Sequence, residues 1–220
     1  MQAMAPRLAD LVGSDSLTVI QTLRDTTRYQ AWDLPGPSLE GFLFPDTYRF
    51  AEGVTLDNVI STMVSEYRAY WTPERRQRLA ESGLSELEAV TLASIIQAEA
   101  RQVDEMPTIS SVYHNRLEIG MLLQADPTVI YALGGPRSRL LFAAIDSVAD
   151  NPYNTYTQAG LPPGPICQPG EAALDAALSP AETDFMYFVA RNDGSHAFTR
   201  TLRDHNRAIR EIRGTRRSSS

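Results

Sequence analysis

Residues 150–170, DNPYNTYTQAGLPPGPICQPG, hold five prolines and two tyrosines. Proline fixes φ and has no amide hydrogen, so regular helix or sheet does not run through such a stretch. Whatever the chain folds into must accommodate one long, stiff, irregular segment. A loop of this length inside a compact domain is characteristically functional. The chain has 220 residues, enough for one generous domain or one domain with a fragment of another.

Charge and composition remove several classes of function. The chain carries 20 basic and 27 acidic residues, a net charge of −7. Nucleic-acid binding needs a basic surface to meet phosphates, so that partner is excluded. Every basic residue is arginine, a composition bias that makes each individual arginine less informative. No apolar run approaches the ~18 residues that cross a bilayer. The first residues, MQAMAPRLADLVGSDS, lack the apolar centre of a signal peptide. The chain as it stands is therefore expected neither to span a membrane nor to direct its own export. Cys167 is the one cysteine, so no internal disulfide forms, and His114, His196 and His205 have no metal-ligand spacing. No metal or cofactor site is expected. Cys167 reads as a small buried loop residue, since a reactive thiol would need a neighbouring base.

The remaining pattern is helix-rich. Residues 1–33 hold two short amphipathic pieces, RLADLVG as a helix end and LTVIQTLRDTTRY as a strand running into a helix. They are too small to bury a core and must dock on something larger. LEGFLFPDTYRF (39–50) has the aromatics and Pro-Asp turn of a strand–turn–strand. Leu56, Val59, Ile60, Met63, Val64, Tyr67 and Tyr70 repeat at helical spacing, and Thr72-Pro73 opens another helical turn. Ser85-x-x-Glu88 is a capping box ahead of EAVTLASIIQAEA. PTISSVYHNRLEIG is a helix ending at Gly120. LLQADP is a strand or turn, 171–178 a short helix, and TLRDHNRAIREIR a last helix ending at Gly214. MYFVAR and HAFTRT flank Asn-Asp-Gly-Ser, a β-hairpin signal. The fold class is α+β, a helix-rich body with a small antiparallel sheet.

Glu99 draws the eye on chemical grounds. It ends an apolar helix among Ala93, Ser94, Ile95, Ile96, Ala98 and Ala100. Lost hydration raises a carboxyl pKa, and the negative end of the helix dipole acts in the same direction. A general acid near neutral pH needs both. The alternative is a helix-end glutamate exposed to solvent, or one paired with Arg101 or Arg116.

The order LEGFLFPDTY, LASIIQAEA, VYHNRLEIGMLLQADPTVIYAL, NPYNTYTQAGLPPGPICQPG and HAFTRTLRDHN closely resembles the endolytic murein transglycosylases, the MltG or YceG-like family, over residues 39–210. The resemblance implies a lytic cut of the β-1,4 bond between N-acetylmuramic acid and N-acetylglucosamine within peptidoglycan glycan strands, leaving 1,6-anhydro ends. It puts the catalytic acid at Glu99. Many members carry a second Glu two residues earlier, where this chain has Gln97. It further implies no cofactor, and a division into a remnant of an N-terminal LysM-like lobe (1–38), the catalytic domain (39–214) and a disordered tail (215–220). The family is anchored by an N-terminal membrane helix that is absent from these residues. Its site of action is the outer face of the cell membrane, and its partners are glycan strands and the synthases that make them.

One carboxyl suffices for a lytic cut, because the sugar's own C6 hydroxyl is the nucleophile. Around Glu99 each remaining candidate has two readings. Gln124, Asp126 and Thr128 suit sugar hydroxyls and N-acetyl groups, or form a turn with a capped helix start. Asn115 and Arg116 face the site, or serve the fold. Tyr153, Asn154 and Tyr156 stack on sugars and read N-acetyl groups, or pack a rigid loop. Glu40 and Asp46 form a second polar wall, or are turn carboxylates. The Gly160–Pro169 loop is expected to be one wall of the cleft. Two rivals remain: a conventional muramidase using Glu99 with Asp126 or Asp46, and a peptidoglycan-binding module without activity.

Overall fold

The computed structural model describes residues 1, 4–25, 32–135 and 140–218. In chain order the helices are α1 (Ala5–Val12), α2 (Ser16–Arg24), α3 (Leu56–Tyr70), α4 (Pro73–Ser82), α5 (Glu86–Glu99), α6 (Met106–Glu118), α7 (Asp126–Ala132), α8 (Phe142–Asp146), α9 (Glu171–Leu178) and α10 (Leu202–Ser218). Strands β1 (Tyr187–Ala190) and β2 (His196–Thr199) lie between α9 and α10.

Helix α5 organises the body. Its capping box is complete: Glu88 donates its backbone N–H to Ser85 Oγ at 3.3 Å, and Ser85 N–H donates to Glu88 Oε2 at 2.8 Å. Every residue from Ala89 to Ile96 is buried, so the helix has no solvent face over two turns. A helix apolar all round belongs in the interior. Helices α6, α7 and α9 pack around it. Tyr67, Tyr70 and Trp71, at the end of α3, close the far side of the same core.

A second, smaller core lies along the N-terminal half of α3. Ala5, Leu8 and Ala9 of α1, with Val19 and Leu23 of α2, meet Val59, Ile60 and Met63. The expected docking of the first residues is therefore met by α3. The strand expected at the start of LTVIQTLRDTTRY is not formed. Asp15 accepts Thr18 N–H at 2.9 Å and starts a helix at Ser16, and residues 26–29 of that piece lie outside the described residues.

The strand–turn–strand expected at 39–50 is also absent. Its backbone is irregular because its amides find partners elsewhere: Leu43 N–H donates to Gln168 Oε1 at 3.1 Å, and Phe44 N–H to the Met63 carbonyl at 3.3 Å. Its aromatics are core groups; Phe42 meets Tyr67 edge-on with centroids 5.2 Å apart. Gly41 has φ +90°, and a Cβ there would lie 2.4 Å from Pro165. The proline-rich segment thus rests directly on this stretch.

The hairpin forms as expected, pairing Tyr187 with Thr199 and Ala190 with His196. The architecture is α+β. Helix α10 continues through Gly214, expected to end it, and takes in residues 215–218 of the expected tail. An isolated glycine lowers helix propensity without ending a helix that has other support. Among the described residues, no helix is long and apolar enough to cross a membrane.

Candidate active site

Helix α5 delivers Glu99 to a cleft of about 350 Å³ at its C-terminal end. Ala100 leaves the helix in an extended conformation (ψ 128°), so no further turn covers the carboxyl. Tyr113, buried on α6, donates its hydroxyl to Glu99 Oε1 at 3.0 Å. Burial pushes the Glu99 carboxyl up to about 7; the Tyr113 hydrogen bond opposes this, Asp126 adds to it, and Arg116 opposes it. The group is half protonated near neutral pH, the condition suited to giving and taking a proton in turn.

Arg116 lies one turn after Tyr113 on α6. It makes no ion pair with Glu99. Its Nε donates to the Met186 carbonyl at 2.7 Å and its Nη1 to the Leu123 carbonyl at 2.6 Å. It thereby ties the start of the hairpin to the strand-like stretch before α7. That stretch is pinned again by Thr155, whose carbonyl accepts Gln124 N–H and whose Oγ1 accepts Ala125 N–H, both at 3.0 Å. Gln124 is held at φ +48°, unusual for a side-chain-bearing residue, and its side chain is exposed at the cleft. Asp126 begins α7 without capping it. Its carboxylate turns instead to Tyr156, whose hydroxyl donates at 2.5 Å.

The cleft therefore gathers Arg116, Gln124, Asp126 and Tyr156 around Glu99. The other candidates lie elsewhere. Asn115 donates to the Thr183 and Phe185 carbonyls, both at 2.9 Å. Thr128 is fully buried and bonds the Ala125 carbonyl and Thr155 Oγ1. Asn154, also fully buried, donates to the Ile145 and Val148 carbonyls and accepts Tyr156 N–H. The amide hydrogens of Asn115 and Asn154 and the Thr128 hydroxyl are thus committed to partners within their own chain. Tyr153 packs on Tyr131 with centroids 4.8 Å apart. Asp46 is exposed and accepts Thr47 N–H. Glu40 is buried against the Met1 amino group at 2.5 Å. It lines a separate cavity of about 580 Å³ with Ala98, Pro127, Tyr131 and Cys167.

The Gly160–Pro169 loop does not wall the Glu99 cleft. It lies on the face of α5 that carries Ser94 and Gln97. Ile166 N–H donates to Ser94 Oγ at 3.0 Å, and Cys167 Sγ donates to the Ser94 carbonyl at 3.2 Å. Glu99 is five residues on from Ser94, about 140° around the helix. Of the whole proline-rich segment, Tyr156 is the residue that reaches the cleft. Cys167 is held as a thiol, its pKa pushed up to about 12 mainly by burial.

Residues 3–211 match the YceG-like family. The chain belongs to the YceG-like family. It is 40% identical over 171 residues to an endolytic murein transglycosylase of Bacillus subtilis, covering 77% of this chain and 47% of the relative. It is 32% identical over 177 residues to an endolytic murein transglycosylase of Streptococcus pneumoniae, covering 79% of this chain and 32% of that one. The chain thus spans about half the length of the first and a third of the second. A crystal structure of a YceG-like protein from Listeria monocytogenes superposes with a TM-score of 0.84 at 33% identity, covering 94% of this chain and 72% of that one.

In this YceG-like chain Gln97 is engaged away from the cleft: its Oε1 accepts Gly170 N–H at 3.0 Å, at the start of α9. Among the described residues, no group of three or more His, Cys, Asp or Glu side chains is arranged to hold a metal ion. Sequence reasoning missed Tyr113, His196 and His205, all of which line the cleft. Tyr113 had a signal, since it sits three residues before Arg116 and shares its helix face. His196 had none, as its partner Glu105 is 91 residues away.

Proposed function

We propose that this chain is the catalytic region of an endolytic lytic transglycosylase. It cuts the β-1,4 bond between N-acetylmuramic acid and N-acetylglucosamine inside peptidoglycan strands and leaves 1,6-anhydromuramoyl ends. The observation that carries the reading is the Glu99 carboxyl, raised to about 7 by burial in an open-ended cleft and touched by one hydrogen-bond donor. Family membership and the names of the Bacillus and Streptococcus relatives support the same reaction.

Protonated Glu99 gives its hydrogen to the glycosidic oxygen as the C1–O bond breaks. The carboxylate left behind takes the hydrogen of the C6 hydroxyl while that oxygen closes on C1. The net change is loss of one sugar leaving group and gain of one internal ether, with Glu99 returned to its starting state. A tethered nucleophile brings a large effective concentration. Gln124 and Tyr156 supply polar and stacking contacts to the glycan. Acting on cell-wall glycan puts the site of action on the outer face of the cell membrane, with nascent strands as substrate and glycan synthases as neighbours.

Asp126 in the same cleft favours one rival, a two-carboxylate muramidase using water. The end group separates the two. Purified glycan strands incubated with the chain should release fragments whose muramic acid end is lighter by one water than a reducing end. Reducing ends would establish hydrolysis, and intact strands that remain bound would establish a binding module.

A further inference from the structure

A single 3-10 turn, Val103–Glu105, joins α5 to α6 and carries Glu105 to the hairpin. Glu105 accepts two hydrogen bonds from one residue. His196 backbone N–H meets Oε1 at 2.9 Å, and His196 Nδ1 meets Oε2 at 2.7 Å. An ionised carboxylate only accepts, so this fork assigns a ring hydrogen to Nδ1; in the neutral ring Nε2 then carries the free lone pair. The ring is also boxed by Phe188 and Phe198, with centroids 5.4 and 6.1 Å away. Its side chain is only 4% exposed, yet it lines the cleft that holds Glu99. Among the described residues the hydrogen bonds of His196 use its backbone N–H and Nδ1, and none uses Nε2.

A histidine that served packing alone would need neither a carboxylate fork nor an open nitrogen on a cleft. Of the neighbouring hydroxyls, Tyr113 is committed to Glu99 and Tyr156 to Asp126. We propose that His196 Nε2 accepts a hydrogen bond from a sugar hydroxyl of the bound glycan, and that Glu105 is the positioning residue that keeps this nitrogen an acceptor. The inference rests on the glycan-cleaving reading above and adds a substrate contact to it. Fixing a ring tautomer from behind with a carboxylate is a general device for setting what the front nitrogen can do.

Glu105→Gln tests the tautomer. One amide oxygen can still accept His196 N–H, while the NH₂ group faces Nδ1 and drives the ring hydrogen to Nε2, turning an acceptor into a donor. His196→Asn keeps a donor for Glu105 and removes the front nitrogen. His196→Gln places an amide oxygen near the Nε2 position. Leaving a buried sugar hydroxyl unpaired should lower kcat/KM by about 10–100-fold in His196→Asn, with His196→Gln retaining more activity than His196→Asn, while Glu105→Gln should lose less, since a hydroxyl can turn to accept from Nε2–H. Ring ¹⁵N spectra should show the lone-pair signal moving from Nε2 to Nδ1 in Glu105→Gln. The same changes made on Glu99→Gln, with binding of purified glycan strands as readout, report the contact without turnover and should show weakened binding. This second arm separates the inference from the reaction: an unmodified chain that yields no anhydro ends overturns the proposed reaction, while binding still tests His196. His196→Asn with both rate and binding retained would overturn the inference. So would equal losses in His196→Asn and His196→Gln.

Discussion

Two faces of the same helix carry polar side chains to different ends. On one face of α5, Ser94 and Gln97 are engaged by the chain itself: Ser94 Oγ donates to the Thr91 carbonyl and accepts Ile166 N–H, and Gln97 Oε1 accepts Gly170 N–H. The proline-rich loop supplies every one of the long-range partners. On the other face Glu99 receives one hydrogen bond, from Tyr113, and is otherwise left to a cleft. Burial is common to both faces. The difference is whether the chain itself completes the polar group, and the group left incomplete is the one with a displaced pKa.

The largest expected effect is at the incomplete face. Glu99→Gln is nearly isosteric but can neither give nor take the reacting proton. Cleavage of glycan strands should fall by at least ~10²–10⁴, followed as release of anhydromuropeptides, with the unfolding temperature unchanged or slightly raised. A variant that keeps a tenth of the parent rate would break the comparison, because Glu99 would then be as inert as Gln97.

Ser94→Ala should do the reverse. It strands Ile166 N–H in the core, which costs about 1–3 kcal/mol of stability in denaturant unfolding. Activity per folded molecule should stay at the parent level, since the loop that Ser94 holds does not wall the cleft.

Tyr113→Phe sharpens the account of the pKa. The Tyr113 hydroxyl favours the ionised carboxylate, so its removal should move the Glu99 midpoint upward from about 7. Activity that needs the protonated acid is lost as pH rises, so this limb of the pH–rate profile should shift to higher pH. The same linkage bears on stability. The folded-state pKa of Glu99 is above its ordinary 4.5, so the folded state holds the proton more tightly. The favourable contribution is full below about 4.5 and is lost as pH rises through about 7. Unfolding of Glu99→Gln should lack that loss.

The smallest effect is expected at Gln97. Gln97→Glu would put a carboxylate against Gly170 N–H at the start of α9, a position that favours negative charge by about 0.3–1 kcal/mol. It should not rescue Glu99→Gln in the double variant, read on the same glycan-release assay.

What the sequence made legible was local. The capping box at Ser85, the hairpin around Asn192–Ser195 and the short helix at 171–178 are each set by residues a few positions apart, and each forms as read. Glu99 was legible because an acid at the end of an apolar helix is itself a local pattern. Several of the errors involve distant partners. Asn115 reads as a ligand-facing amide until the Thr183 and Phe185 carbonyls, 68 and 70 residues on, take both of its hydrogens. Leu43 and Phe44 read as strand until Gln168 and Met63 take their amides. The proline-rich loop was correctly singled out as rigid, but which face of α5 it covers depends on Ser94 and Gln97, whose bonds to it span more than 70 residues. Stiffness is written in composition, whereas placement is written in long-range hydrogen bonds.

The central claim is that the cleft holds Glu99 as a carboxyl still half protonated near neutral pH. It is tested most directly by following the side-chain carboxyl carbon of Glu99 through a pH titration by ¹³C NMR, with Glu99→Gln assigning the signal. The account predicts a midpoint at about 7. A midpoint at the ordinary glutamate value of 4.5 would contradict it, because Glu99 would then be ionised at neutral pH and unable to begin the reaction as an acid.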